Sequence, residues 1–172
     1  MTSPAVTSRT LVIMRHAKAE QSATLPDVER PLMPRGREDS VAAGGWLAAH
    51  DLVPNVVLCS PAVRTRGTWH GIAIGLADAG ATVAPTVRYE NDLYSAGVNS
   101  ALEVIRGLPA GVEIALLIGH NPTVSALSTR LDDRTKRTTA GLRTAGLAVH
   151  TVTGDWADLR AATLAEIYVA RA

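Results

Sequence analysis

The chain has 172 residues, enough for one domain with a real core, and its 17 Lys and Arg against 16 Asp and Glu give a formal charge of +1, which lends no support to a nucleic-acid or other polyanion binder. A single cysteine, Cys59, excludes an internal disulfide framework and a cysteine-based zinc site and fits a reducing cytoplasm. No apolar run approaches the roughly 20 residues of a bilayer crossing, and the N-terminus lacks a basic region followed by an apolar one, so neither export nor a membrane partner is expected.

In chain order, residues 1–8 are small and polar, lack any period and read as a flexible tail; residues 9–172 read as a single domain. Leu11 to Met14 is a short all-apolar run, as expected of a strand buried on both faces, and it stops at Arg15 and His16. A cation and an imidazole at such a place are costly unless something uses them. Ala42, Gly45, Trp46 and Ala49 fall at helical spacing, although Gly44 and Gly45 weaken that helix by propensity. A second buried strand, Val56 to Cys59, leads to Ser60 and Pro61, read as N-cap and first helical residue, which puts Arg64 in the first turn. Thr65, Trp69, Ile72, Ala73 and Leu76 trace the inner face of this second helix, and Thr82 to Arg88, broken by Pro85, is an edge strand or a short piece of one.

Val98, Ala101, Leu102 and Ile105 mark a third helix, and Ala115 to Ile118 a third buried strand. Then come Gly119, His120, Asn121 and Pro122, with Asn121 as the cap and Pro122 opening a helix whose face is Val124, Leu127, Ser128 and Leu131. The basic segment 130–143 reads as a solvated loop, or alternatively as a docking site for an anionic partner through Lys136 and Arg137. Leu147 to Val152 and Thr163 to Val169 mix apolar and polar residues around Gly154 and Asp155, the pattern of partly antiparallel strands at a sheet edge.

Alternation of strand and helix predicts an α/β fold, a three-layer αβα arrangement with a mostly parallel central sheet and antiparallel edge strands. If the three apolar runs are neighbouring parallel strands, Arg15, His16, Arg64 and His120 all emerge at their carboxyl ends, where open α/β sheets bind ligands. Two arginines supply forked donors for phosphate oxygens, and two imidazoles supply a nucleophile and a donor. The neighbouring cations hold His16 neutral near pH 7, free to attack phosphorus, while Arg15, Arg64 and a protonated His120 stabilise the transition state without a metal.

These residues resemble the histidine phosphatase superfamily, the phosphoglycerate mutase-like group, and within it the small SixA-type phosphohistidine phosphatase branch. Its Arg-His-Gly motif is matched by Arg15, His16 and Ala17, with alanine in place of the usual glycine. Its Ser-Pro-x-x-Arg-x-x-x-Thr segment is approximated by Ser60 through Thr68, its late Gly-His turn by Gly119 and His120, and the branch's Arg-Pro-Leu segment by Arg30, Pro31 and Leu32, followed by Gly36. The resemblance runs from about residue 10 to the C-terminus and implies a phosphoglycerate mutase-like fold. It also implies His16 as the phosphorylated nucleophile, with Arg15, Arg64 and His120 forming the phosphate pocket and no cofactor.

Larger members carry a Glu proton donor on an inserted segment; by position only Glu90 and Asp92 are candidates here, and Lys18 is a further phosphate contact. The expected substrate is protein phosphohistidine. The alternatives are a small-metabolite phosphomonoesterase and a non-catalytic phosphate- or phosphoprotein-binding module. Cys59 lacks the spacing to Arg64 or Arg66 that a cysteine phosphatase loop requires and reads as a small buried apolar residue.

Overall fold

The computed structural model describes residues 7–82, 84–134 and 141–172. Strands and helices alternate as β1 (Ser8–Arg15), α1 (Pro34–Ala49), β2 (Val56–Cys59), α2 (Val63–Asp78), β3 (Thr86–Tyr89), the single turn α3 (Asp92–Ser95), α4 (Val98–Arg106), β4 (Ile114–Gly119), α5 (Thr123–Leu131), β5 (Gly146–Thr153) and β6 (Thr163–Val169). They build one sheet of order β3-β2-β4-β1-β5-β6. Its first four strands are parallel, and β5 runs antiparallel to both β1 and β6. The three apolar runs are therefore the adjacent central strands β2, β4 and β1. The strand begun by Ser8, which pairs with Thr153, takes in the last residue of the predicted tail; residues 1–6 of that tail lie outside the described residues.

Successive side chains on a strand point to opposite faces. Leu11 and Ile13 accordingly enter one core with α4, α5 and Trp156, and Val12 and Met14 enter the other with α1 and α2. Each such buried aliphatic side chain contributes about 1.5–3 kcal/mol, which is why the central strands contain no polar residue until their ends. Trp156 donates its indole N–H to the Val112 carbonyl at 2.8 Å, so its burial leaves no orphan donor.

The inward face of α1 differs from the predicted one. Gly36, Asp39, Ser40, Ala43, Gly44 and Leu47 are buried, whereas Ala42, Gly45 and Trp46 are half-buried and Ala49 is exposed. A Cβ on Gly44 would lie 2.2 Å from the Ile72 carbonyl oxygen, and one on Gly75 would lie 2.1 Å from that of Val41. Helices α1 and α2 meet backbone to backbone, so glycines that weaken both helices by propensity set the distance between them. Trp46 lies at the margin instead, stacked on Tyr168 with ring centroids 4.5 Å apart. On α2, Thr65, Ile72 and Leu76 of the predicted face are buried, and the predicted faces of α4 and α5 are buried apart from the half-buried Val98.

Both predicted caps are replaced. Helix α2 starts at Val63 after Ala62, and α5 at Thr123 after Pro122, neither with a side-chain cap bond. The Ser60 hydroxyl meets the His120 ring at 2.7 Å and accepts only a long 3.4 Å bond from the Ala62 N–H, while Asn121 donates to the Leu142 carbonyl at 2.9 Å. Strand β3 begins just after Pro85, on an edge where a missing N–H costs least. Among the described residues no helix is long and apolar enough to cross a membrane.

Candidate active site

The register aligns Arg15 with Gly119 and Cys59 with Ile118, so the residues that follow, His16, Ser60 and His120, leave the sheet on one edge. His16 N–H bonds the Gly119 carbonyl at 3.0 Å, and its own carbonyl accepts the Ala145 N–H at 3.1 Å. Its backbone is thereby held from both neighbouring strands. The next N–H, of Ala17, donates to Thr68 Oγ1 at 3.0 Å, and that hydroxyl donates to the Arg64 carbonyl at 2.7 Å. Ala17 is not one of the positive-φ residues, so the methyl that replaces glycine's hydrogen is accommodated without backbone strain.

His16 Nδ1 lies 2.7 Å from the Ala17 carbonyl oxygen. A carbonyl only accepts, so Nδ1 carries the proton and Nε2 keeps its lone pair. Burial, followed by the charges of Arg64, Arg15 and Arg30, lowers the His16 pKa to about 4 against the opposing pull of the Ala17 bond. The neutral imidazole expected from the neighbouring cations is present, but burial is its larger cause.

The His120 ring lies 5.3 Å from that of His16, centroid to centroid. Its Nε2 meets Ser60 Oγ, its Nδ1 is buried without a partner, and burial, then the charges of Arg64 and His16, lowers its pKa to about 3. The protein alone therefore holds His120 neutral, and charging it requires a bound anion. Arg15 Nη1 donates to the Leu142 carbonyl at 3.2 Å. Arg64 is 5% exposed and donates Nη1 to the Asp27 carbonyl at 2.7 Å and Nη2 to Asp27 Oδ2 at 2.9 Å. The Nε atoms of both arginines are buried and have no partner among the described residues. Arg15, His16, Arg64, His120 and the exposed Lys18 all line one open cavity of about 570 Å³.

Glu90 and Asp92 are not among the residues lining it. Glu90 pairs with Arg88 at 2.6 Å, and Asp92 is exposed in the first turn of α3. Helix α3 contributes Tyr94 instead, whose ring meets the edge of His120 at 5.5 Å and whose hydroxyl donates to Asp27 Oδ2 at 2.9 Å. Asp27, Tyr94 and the pairing of Ser60 with His120 escaped the sequence reading, as did the place of Arg30 on the cavity wall. The spacing of Asp27 three residues before Arg30, with which it forms an ion pair at 2.8 Å, was the one local signal. Of the basic segment, Lys136 and Arg137 lie outside the described residues. Arg130 bonds Asn99, and Arg134 forks onto Asp132.

A neutral imidazole with a free Nε2, ringed by guanidinium groups and a second imidazole, suits nucleophilic attack on a bound oxyanion. No family model matches the chain. It is 37% identical over 153 residues to an uncharacterized protein of Mycobacterium tuberculosis strain H37Rv, covering 85% of this chain and 91% of that one. A candidate phosphohistidine phosphatase SixA from Nakamurella multipartitia is 35% identical, with a TM-score of 0.80 over 96% of this chain and 98% of that one. The protein histidine phosphatase SixA complexed with tungstate shares the fold at 23% identity, with a TM-score of 0.76 over 93% of this chain and 96% of that one. The chain belongs to the histidine phosphatase superfamily. Within it, the similarity to the Nakamurella protein over nearly the whole of both chains places it in the SixA-type branch.

Proposed function

We propose that the protein is a metal-independent phosphatase that works through a phosphohistidine on His16, with protein phosphohistidine as its substrate. The observation that carries this reading is the His16 Nδ1 bond to the Ala17 carbonyl, which fixes the tautomer and leaves Nε2 as a nucleophile in a wall of cations. In the first step Nε2 forms a bond to phosphorus as the bond to the leaving group breaks. In the second, water attacks the same phosphorus, the P–Nε2 bond breaks and inorganic phosphate leaves. Arg15, Arg64 and a His120 charged by the anion neutralise the equatorial oxygens, and Lys18 lies at the rim to meet the substrate.

The leaving group decides between substrates. His16 and His120 are neutral near pH 7, and the Arg30, Tyr94 and Arg64 donors hold the Asp27 carboxyl well below the usual carboxylate range. Before the anion binds none of the three has a proton for a departing alkoxide, and the one that His120 gains with the anion serves the phosphoryl oxygens. A phosphoimidazole already protonated on its other nitrogen leaves as neutral imidazole and makes no such demand. The open mouth, to which a protein-borne phosphoryl group has access, supports the same choice.

The test is hydrolysis of an aryl phosphate in EDTA by the native protein and by His16→Ala, followed by a panel of phosphohistidine peptide, sugar phosphates and nucleotides. Loss of about a thousandfold or more in the variant is expected. Equal rates would sink the phospho-His16 mechanism, and turnover by neither protein would leave a binding module. A higher kcat/KM on a sugar phosphate than on the peptide would replace the phosphohistidine assignment with a phosphomonoesterase.

A further inference from the structure

We propose that Asp27 is the positioning residue of the phosphate pocket: it grips the terminal fork of Arg64 and so presents the lateral, Nε edge of that guanidinium to the phosphoryl group. The inference rests on the phosphate-pocket reading above. A guanidinium has two forks, the terminal pair of Nη1 and Nη2 and the lateral pair of Nε and Nη2. Asp27 fills the terminal fork, with its backbone carbonyl taking Nη1–H at 2.7 Å and Oδ2 taking Nη2–H at 2.9 Å. Nε, on a residue of the cavity wall, remains buried with no partner among the described residues, and an unpaired buried donor is costly unless a ligand answers it.

Asp27 is itself fixed by what surrounds it. It heads a 3-10 turn, Asp27–Glu29, in a loop whose ends are joined by the Ala19–Leu32 bridge and by the Glu20 N–H to Pro31 carbonyl bond at 2.9 Å. Arg30 donates Nε and Nη2 to Oδ1 at 3.1 and 2.8 Å and Nη1 to the Glu20 carbonyl at 2.8 Å, while the Tyr94 hydroxyl takes the same Oδ2 as Arg64. One half-exposed carboxylate thus joins the loop, α2 and α3 at the pocket mouth. A negative charge beside a phosphate site opposes binding by repulsion. Its place on the terminal fork alone, with Nε left for another acceptor, assigns it a geometric role that outweighs that repulsion.

The experiment measures inorganic phosphate binding by calorimetry at pH 7, and steady-state hydrolysis of an aryl phosphate, for the native protein, Asp27→Ala, Asp27→Asn, Arg64→Lys and the Asp27→Ala/Arg64→Lys pair. Asp27→Ala is expected to weaken phosphate about tenfold and to lower kcat, and Asp27→Asn, which keeps an acceptor for Nη2, to lose about threefold. In the Arg64→Lys background the alanine change shifts phosphate affinity by less than about twofold, because an ammonium has no second fork to orient.

Phosphate binding at native strength or tighter in Asp27→Ala would show a competing anion and overturn the proposal, as would a full tenfold loss persisting beside Arg64→Lys. Should the alanine variant not fold, the asparagine variant decides the same question, and an unchanged affinity overturns it. Coupled phosphate binding without turnover of any ester would remove the phosphatase reading and keep Asp27 in its role. His16-dependent hydrolysis that Asp27→Ala leaves untouched would do the reverse.

Discussion

Ser60 shows how much the site depends on side chains that never touch phosphorus. Its hydroxyl, fully buried, is the one hydrogen-bond partner of the His120 ring among the described residues, at 2.7 Å on Nε2. Ser60→Ala would leave both nitrogens of that ring unpaired and its orientation loose, so kcat/KM should fall about tenfold with the fold intact by circular dichroism; an unchanged kcat/KM would show that His120 needs no such support. Ser60 also marks a limit of reading residues singly. Beside Pro61 it has the chemistry of a helix cap, and only the adjacency of β2 and β4 brings His120, sixty positions away, within reach of its hydroxyl. Arg15, His16, Arg64 and His120 were legible because each stands where an apolar run or a Ser-Pro turn ends. Asp27 and Tyr94 were not, since the spacing of Asp27 to Arg30 signals only a local ion pair, and what gives both residues meaning is a contact across 67 residues.

At the level of elements, apolar periodicity located the buried faces of α4 and α5 and missed that of α1, for a physical reason. Large side chains announce a face that buries area, whereas α1 and α2 touch through Gly44, Gly71, Gly75 and Ser40, where the gain is close approach. The same facts separate two neighbouring glycines. Gly44→Ala would drive a methyl into the Ile72 carbonyl and should cost about 2–4 kcal/mol in urea unfolding, while Gly45→Ala, with nothing within 4 Å of its Cβ, should gain about 0.5–1 kcal/mol from helix propensity. Equal effects of the two changes would refute the close-packed interface. Because α2 also carries Arg64 near its first turn, pushing it outward with Gly44→Ala would disturb the pocket as well as the core.

For the whole molecule, burial of histidines sets how stability follows pH. His16 and His150 are lowered to about 4 and His120 to about 3, each chiefly by burial, from an ordinary value of 6.5. Below pH 6.5 the unfolded chain therefore binds protons that the folded protein refuses, and stability, greatest above that pH, declines as pH falls towards 4. At pH 5 the loss is about 2 kcal/mol for each of His16 and His150, and less for the partly solvated His120, a large share of the ~5–15 kcal/mol a domain possesses. Asp27 and Asp132, whose carboxyls are held low by Arg30 and Arg134 respectively, contribute above the ordinary carboxylate range and lose that contribution only at pH below about 4, outside this window. Urea midpoints should thus drop steadily from pH 7 to pH 5, and His150→Asn, which removes a fully buried ring bonded, among the described residues, to Ser128 alone, should flatten that slope; a pH-independent midpoint would contradict the burial of these rings.

Cys59 closes strand β2 one residue before Ser60, fully buried, with its thiol pushed up to about 12 by that burial. A thiol that does not ionise is neither a nucleophile nor a target for peroxide. Phosphatases that depend on a thiolate are silenced by oxidants. Here the proposed reacting atom is an imidazole nitrogen, and the chain's one thiol is sealed in the sheet. With His16 as the proposed nucleophile, dephosphorylation by this chain should continue at oxidant concentrations that halt cysteine-dependent phosphatases.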